Sequence, residues 1–97
     1  MKKIFISLPM RDKSREDIEE KQGEILAQAG AKLQEDVELV PNCLDRNAFT
    51  PLECLGISLG RMSGADFVVF GEGWKDARWC RIERLCAEEY GIPILDI

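Results

Sequence analysis

The 97-residue chain contains no histidine, and this absence limits the metal chemistry open to it. A zinc site without histidine would need four cysteine ligands. Four cysteines are present, at positions 43, 54, 80 and 86, but no two of them form a CxxC pair. We therefore expect no metal site and no cofactor. The cysteines are expected to be reduced, mostly buried thiols that pack as small apolar side chains.

Long apolar runs and basic clusters are also missing. No stretch approaches the roughly 18 apolar residues of a transmembrane helix, and Met1, Lys2 and Lys3 lead straight into a strand-like segment rather than a signal peptide. The 13 lysines and arginines are outnumbered by 18 acidic residues, which gives a net charge of −5. Phosphate binding favours a basic face, so nucleic acid is disfavoured as a partner. We expect a cytoplasmic protein with neither a membrane nor a nucleic-acid partner.

What the sequence does contain is the composition and patterning of one small α/β domain over residues 1–97. Apolar residues make up 45% of the chain and charged residues 32%, as in ordinary globular proteins. Strand-like apolar segments occupy residues 4–6, 37–40, 67–70 and 92–95. Helical periodicity covers residues 15–33 (or only as far as Gly30), 51 to Gly64, and 77–90. This alternation predicts a minimal doubly wound fold: a four-stranded parallel sheet, order 2-1-3-4, with helices on both faces.

Glu83 fits this pattern least well. It falls within the apolar stripe of the helix predicted over residues 77–90, and a glutamate is rarely buried without a partner. The other members of the stripe are Trp79, Ile82, Cys86 and Tyr90. The opposite, solvated side of the helix is predicted to carry Arg81, Arg84 and Glu88. Glu83 should therefore face a polar partner, a cleft or a ligand, or else be partly exposed and capture a nearby arginine.

Two loops with unusual side chains are predicted to lie beside this helix. In doubly wound folds ligands bind outside the carboxyl ends of the strands, where the strand order reverses, which here lies between the first and third strands. The loops that leave these strands cover residues 7–13 and 71–76. Their candidate binding residues are Ser7, Pro9, Met10, Arg11, Gly73 and Trp74, with Asp76 as a second carboxylate. Glu83 follows about two helical turns later, so all of these residues should converge on one crevice.

Three segments of the chain resemble the nucleoside 2-deoxyribosyltransferase-like family, in particular its short bacterial and phage members of the DUF4406 type. The segments are KIFISLPMR at residues 3–11, LGISLGRM at residues 55–62, and ADFVVFGEGWKDARWCRIERLCAEEYGIP at residues 65–93. Together they cover most of the chain. The run GWKDAR, followed by CRIE, is the most specific part of the resemblance.

The resemblance implies glycosyl transfer at a nucleoside or nucleotide. In active members a glutamate at the position of Glu83 attacks the anomeric carbon of the sugar and expels the base, and a base or water then resolves the glycosyl-enzyme ester. Asp76 would position the sugar or transfer a proton. Ser7, Pro9, Met10 and Arg11 would line the sugar or its 5′ end, where Arg11 could meet a phosphate, and Trp74 would flank the base or sugar.

Two alternatives stay open. Active members carry an acidic residue near the position of Ser58 and usually glycine at the position of Trp79, so the chain could instead be a non-catalytic nucleotide-binding or interaction domain. In a purely structural alternative, Glu83 pairs with Arg11 or Arg78. The resemblance also implies a homo-oligomer in which a neighbouring subunit often completes the pocket, and a small sheet has edges to cover.

Overall fold

A computed structural model describes residues 1–43 and 47–97, and it has the predicted α/β class. Among these residues three strands are present: β1 (Lys2–Ser7), β2 (Val37–Val40) and β3 (Phe67–Phe70). They alternate with three helices: α1 (Arg15–Leu33), α2 (Pro51–Met62) and α3 (Arg78–Glu89). A short 3-10 turn, Trp74–Asp76, precedes α3. None of the described helices is long and apolar enough to cross a membrane.

The sheet is parallel, but it has three strands rather than the predicted four. Its order is β2-β1-β3, so β1 lies at the centre and the strand order reverses between β1 and β3, as predicted. The segment predicted as a fourth strand, residues 92–95, meets β3 through a single bridge between Val68 and Ile94. Pro93 has no N–H to donate, and only its carbonyl oxygen takes part, accepting from the Val68 N–H at 2.9 Å.

Helices pack on both faces of the sheet because the side chains of β1 alternate between them. One buried cluster joins the sheet to α1 and consists of Ile4, Ile6, Leu8, Ile25, Ala29 and Val69. The other joins the sheet to α2 and α3 and consists of Phe5, Met62, Val68 and Ala87. Ser7, two residues after Phe5, therefore lies on the α3 side of β1.

The helix boundaries follow local capping signals. Ser14 caps α1 and Thr50 caps α2, each in a complete capping box. Helix α1 continues past Gly30 and ends at Leu33, the longer of the two predicted ends. Tyr90 was wrongly predicted to belong to the apolar stripe of α3. The helix ends at Glu89, and the tyrosine side chain is 83% exposed.

The prediction of four reduced cysteines is wrong for two of them. Cys43, just after β2, forms a disulfide with Cys54 in the first turns of α2. Their Cα atoms are 5.4 Å apart, which is within the usual range for a disulfide. Both side chains are buried, and Cys80 and Cys86 are free thiols. The prediction that the cysteines are mostly buried is confirmed, because three of the four are buried and Cys86 is half-buried.

Candidate functional site

The carboxyl ends of β1 and β3 bring the two predicted loops together. Ser7 is paired with Phe70 in the parallel register, and the N–H of Gly71 donates to the Ser7 carbonyl at 2.9 Å. A Cβ atom at position 71 would collide with the buried side chain of Leu8. Glycine at this position therefore lets the second loop cross directly over the end of β1.

Gly73 shapes the second loop for a different reason. Its φ of 85° lies in the left-handed region, which favours glycine, and it begins the 3-10 turn Trp74–Asp76. A Cβ atom at position 73 would lie 3.6 Å from Pro9, so the two loops are in contact here. The turn ends at Asp76, and α3 begins two residues later, at Arg78.

Glu83 is buried on the face of α3 that packs against the sheet, as the apolar stripe predicted. The residue is 2% exposed, and the hydroxyl of Ser7 donates to its Oε1 at 2.6 Å. Its Oε2 is also buried and has no hydrogen-bond partner among the described residues. The ion pair with Arg11 or Arg78 considered from the sequence is not formed.

This environment raises the pKa of Glu83 from 4.5 to about 7. Burial is the largest cause, because removing water penalises the charged carboxylate. The polar side-chain hydrogens of Ser7 and Trp79 act in the opposite direction, since they stabilise the charged form. Near neutral pH the carboxyl group is therefore divided between its protonated and ionised forms.

Cys80, one turn before Glu83 on α3, forms a buried cluster with Glu83 and Ser7. It is fully buried, and burial raises the pKa of its thiol, while the nearby side chain of Ser7 acts to lower that pKa. The negative charge of Glu83 further raises the thiol pKa. Ser7 thus contacts both titratable groups, and the cysteine behaves as a buried neutral thiol.

A cleft of about 800 Å³ lies over this cluster, between the two loops and the N-terminal ends of α2 and α3. The predicted binding residues that line it are Pro9, Met10, Arg11, Gly73 and Asp76. Ser7 and Glu83 are not on its wall. Trp79 and Ile82, which are neighbours of Glu83 on α3, do line the cleft. The carboxylate therefore lies behind the cleft wall rather than in it.

Trp74 is not placed where the sequence predicted it. Its ring packs against Phe70, with the centroids 5.5 Å apart, and the guanidinium of Arg84 lies 4.8 Å from its centroid. Arg84 also covers Phe70 and pairs with Glu88 at 2.8 Å. The arginine was predicted to be solvated, but its side chain is only 28% exposed. Both residues stabilise the loop from outside the cleft.

Several cleft residues were not predicted as binding residues. Arg78 and Arg81, in the first turn of α3, line the cleft, as do Leu52 and Leu55 of α2. A helix that starts directly after a switch-point loop points its first side chains at the crevice, and this signal could have identified the two arginines. Ser58 is fully buried, and its hydroxyl accepts the N–H of Cys43 at 2.9 Å.

A second cleft, of about 870 Å³, lies between α1, the end of β2 and α2. It is lined by residues that include Gln22, Asn42 and Arg61, and it contains none of the predicted site residues. The amide of Gln22 donates to Asn42, whose amide donates to the Ile6 carbonyl, each at 3.3 Å. These contacts join α1 to the ends of β1 and β2.

Within residues 1–43 and 47–97, no group of three or more cysteine or carboxylate side chains is placed to hold a metal ion. No family model, no curated protein and no solved structure matches this chain.

Proposed function

We propose that this protein is a cytoplasmic enzyme that breaks or transfers the N-glycosidic bond of a nucleoside or nucleotide, with Glu83 as the nucleophile. The observation that carries the proposal is the state of the Glu83 carboxyl group. It is buried behind a cleft at the switch point of the sheet, and one of its oxygens has no hydrogen-bond partner among the described residues. The resemblance of residues 65–93 to glycosyl-transferring proteins supports the same role.

The chemistry follows the retaining scheme. An oxygen of the ionised Glu83 carboxylate attacks the anomeric carbon, while the bond from that carbon to the base nitrogen breaks and the base takes the electron pair. The base gains a proton from Asp76 or from water. Water or a second base then attacks the anomeric carbon and releases the carboxylate. The Ser7 hydroxyl, 2.6 Å from Oε1, holds the carboxylate in position.

Access to Glu83 requires movement of Trp79. The indole lines the cleft, whereas the carboxylate behind it is 2% exposed. A sugar bound in the cleft can reach the carboxylate only after the Trp79 side chain shifts. Replacement of Trp79 by glycine should therefore raise the rate of base release.

The test is to incubate the protein with a panel of deoxynucleosides and deoxynucleotides and to measure free base by chromatography. Glu83→Gln should abolish release, while Glu89→Gln, at an exposed position on the same helix, should leave it unchanged. The rate of base release should rise with pH, reach half of its maximum near pH 7 and level off above it, because only the ionised carboxylate attacks. Release that survives Glu83→Gln would reject the nucleophile role.

A nucleotide-binding domain without catalysis is the second candidate. It is favoured by the closure of the site, since Oε2 of Glu83 is shielded from solvent and Trp79 lines the cleft. Tight binding of a nucleotide with no base release from any member of the panel would select this candidate.

We also propose that the protein assembles as a homo-oligomer. Large apolar side chains are exposed on the helices near the cleft, with Leu52 77% and Leu85 59% exposed. Light scattering after size exclusion should give a mass of at least two chains, and a mass of one chain would reject the proposal.

A further inference from the structure

The two sulfur atoms of the disulfide between Cys43 and Cys54 lie in different surroundings. Cys43 lines the second cleft, between α1, the end of β2 and α2, whereas Cys54 is fully buried and lines neither of the two clefts. We propose that this disulfide is a reversible exchange site, at which a small anionic thiol enters the second cleft and forms a mixed disulfide with Cys43. The site is separate from Glu83, and exchange there is independent of glycosyl transfer.

Access determines which sulfur atom is attacked, because an incoming thiolate must reach the disulfide through the second cleft. The thiolate sulfur bonds to Sγ of Cys43, and the bond from that atom to Sγ of Cys54 breaks. The electron pair leaves with Cys54, which takes up a proton from water. Closure is the reverse reaction, in which the thiolate of Cys54 attacks Cys43 and expels the small thiol. The number of disulfide bonds stays the same, so exchange needs no oxidant.

Contacts other than the disulfide hold the two cysteines close together. The N–H of Cys43 donates to Oγ of Ser58 at 2.9 Å, and Nη1 of Arg61 donates to the Pro41 carbonyl at 3.3 Å. Ser58 and Arg61 lie one and two turns after Cys54 on α2. When the disulfide opens, these contacts keep α2 beside the chain that follows β2. Cys54 therefore stays near the mixed disulfide and can close the bond again.

The second cleft attracts an anionic thiol through Arg61. Its charged residues in the described part of the chain are Arg15, Glu19 and Arg61. Arg15 and Glu19 pair with each other at 3.3 Å, whereas Arg61 forms no ion pair with a described residue. The cleft thus presents one uncompensated positive charge in a protein with a net charge of −5. This charge attracts a thiol that carries a sulfonate or carboxylate and repels one that carries an ammonium group.

The second cleft is also large enough to hold the thiol after it has bonded to Cys43. Its volume of about 870 Å³ lies in the range of small-molecule sites. Leu26, Leu39 and Ile57 line it and offer apolar surface to the carbon chain of the thiol. In the cytoplasm, the location proposed above, disulfides are mostly transient or redox-sensing. A bond that opens and closes by exchange suits that compartment better than a permanent one.

The first test determines which cysteine takes the small thiol. The native protein is incubated with 2-mercaptoethanesulfonate, quenched with acid and mapped by peptide mass spectrometry. The added mass should be at least about tenfold more abundant on Cys43 than on Cys54, because only Cys43 lines the cleft. In Cys54→Ser, the disulfide form of the same reagent should modify Cys43. In the matched variant Cys43→Ser it should leave Cys54 unmodified, whereas in urea it should modify the remaining cysteine of both variants.

The second test compares thiols that differ in the sign of their charge. The rate at which the disulfide opens is measured at low salt with 2-mercaptoethanesulfonate and with cysteamine, each rate being divided by the thiolate concentration. Arg61→Gln should lower the ratio of the anionic to the cationic rate by at least about fivefold, the effect of one nearby unit charge. Arg61→Lys keeps the charge and should preserve the ratio. Arg81→Gln, at an exposed arginine in the other cleft, is the matched control and should also preserve it.

Two results would overturn the exchange site. One is an added mass that lies mainly on Cys54, and the other is a disulfide that opens only in urea concentrations that unfold the protein. A ratio of rates that Arg61→Gln leaves unchanged would overturn the preference for an anionic thiol. Each readout is a mass or a rate of disulfide opening, so none of these results depends on whether the protein releases a base.

Discussion

Neutralising Glu83 should change how the stability of the protein responds to pH. The carboxyl group has a pKa of about 7 in the folded protein, against 4.5 for the ordinary group. Between these two values the folded state holds a proton that the unfolded state has released, so stability falls as the pH rises. Below pH 4.5 both states are protonated and the cost is absent. Above pH 7 both are ionised and the cost is complete.

The difference of about 2.5 pKa units corresponds to about 3 kcal/mol of unfolding free energy. Glu83→Gln removes the titration and keeps an oxygen that can accept the hydrogen bond from Ser7. The new amide N–H groups add a cost of their own, but that cost does not depend on pH. Relative to the variant, the wild type should therefore lose about 3 kcal/mol of stability between pH 4 and pH 8.

Urea unfolding of both proteins at several values between pH 4 and pH 8 measures this difference directly. Glu89→Gln is the matched control, because Glu89 is exposed on the same helix, and its difference from wild type should stay small and constant. A wild-type to Glu83→Gln difference that does not change with pH would refute the reasoning. It would mean that the carboxylate is ionised and solvated in the folded protein.

Three further perturbations test other parts of the structure. Ser7→Ala should raise the pKa of Glu83 above 7, because the hydroxyl stabilises the charged carboxylate. Titration of the carboxyl carbon by ¹³C NMR measures this pKa, and a lowered or unchanged midpoint would contradict the prediction. Reduction of the disulfide between Cys43 and Cys54 should lower the free energy of unfolding by about 3 kcal/mol, the chain-entropy value for a short loop. As the control, dithiothreitol should leave the urea midpoint of the variant with alanine at both positions unchanged. Gly71→Ala should destabilise the protein by about 1–3 kcal/mol because it forces a buried leucine to move, and an unaltered urea midpoint would contradict the contact.

The elements of the fold were predictable because they depend on local patterns. Periodicity placed the three helices and the first three strands, and the alternation of strands and helices indicated a parallel sheet with helices on both faces. The fourth strand was not predictable in this way. Residues 92–95 have the composition of a strand, but pairing depends on the partner, and only Ile94 forms a bridge. The pairing of Cys43 with Cys54 likewise depends on distance in space, which spacing along the chain does not give.

In the candidate site, too, local patterns were predictable and contacts in space were not. Burial of Glu83 followed from its place in the apolar stripe, although the same stripe wrongly included Tyr90, which lies just past the helix end. The sequence left the group that meets the carboxylate open between a polar partner, a cleft or ligand, and an arginine; the structure shows a polar partner, the hydroxyl of Ser7. The arginines of α3 were missed as cleft residues because amphipathic patterning assigns exposed charges to solvent without distinguishing an open surface from a cleft wall.

The bond between Ser7 and Glu83 joins residues 76 positions apart, and this separation ties the site to the kinetics of folding. While α3 is still undocked from β1, the carboxylate is in water and is ionised at neutral pH. Between pH 4.5 and 7 the docking of α3 must therefore take up a proton from solvent. A fragment that ends before α3 would lack the carboxylate altogether. Burial of the Glu83 carboxyl group therefore depends on a long-range contact, and the formation of that contact is coupled to protonation.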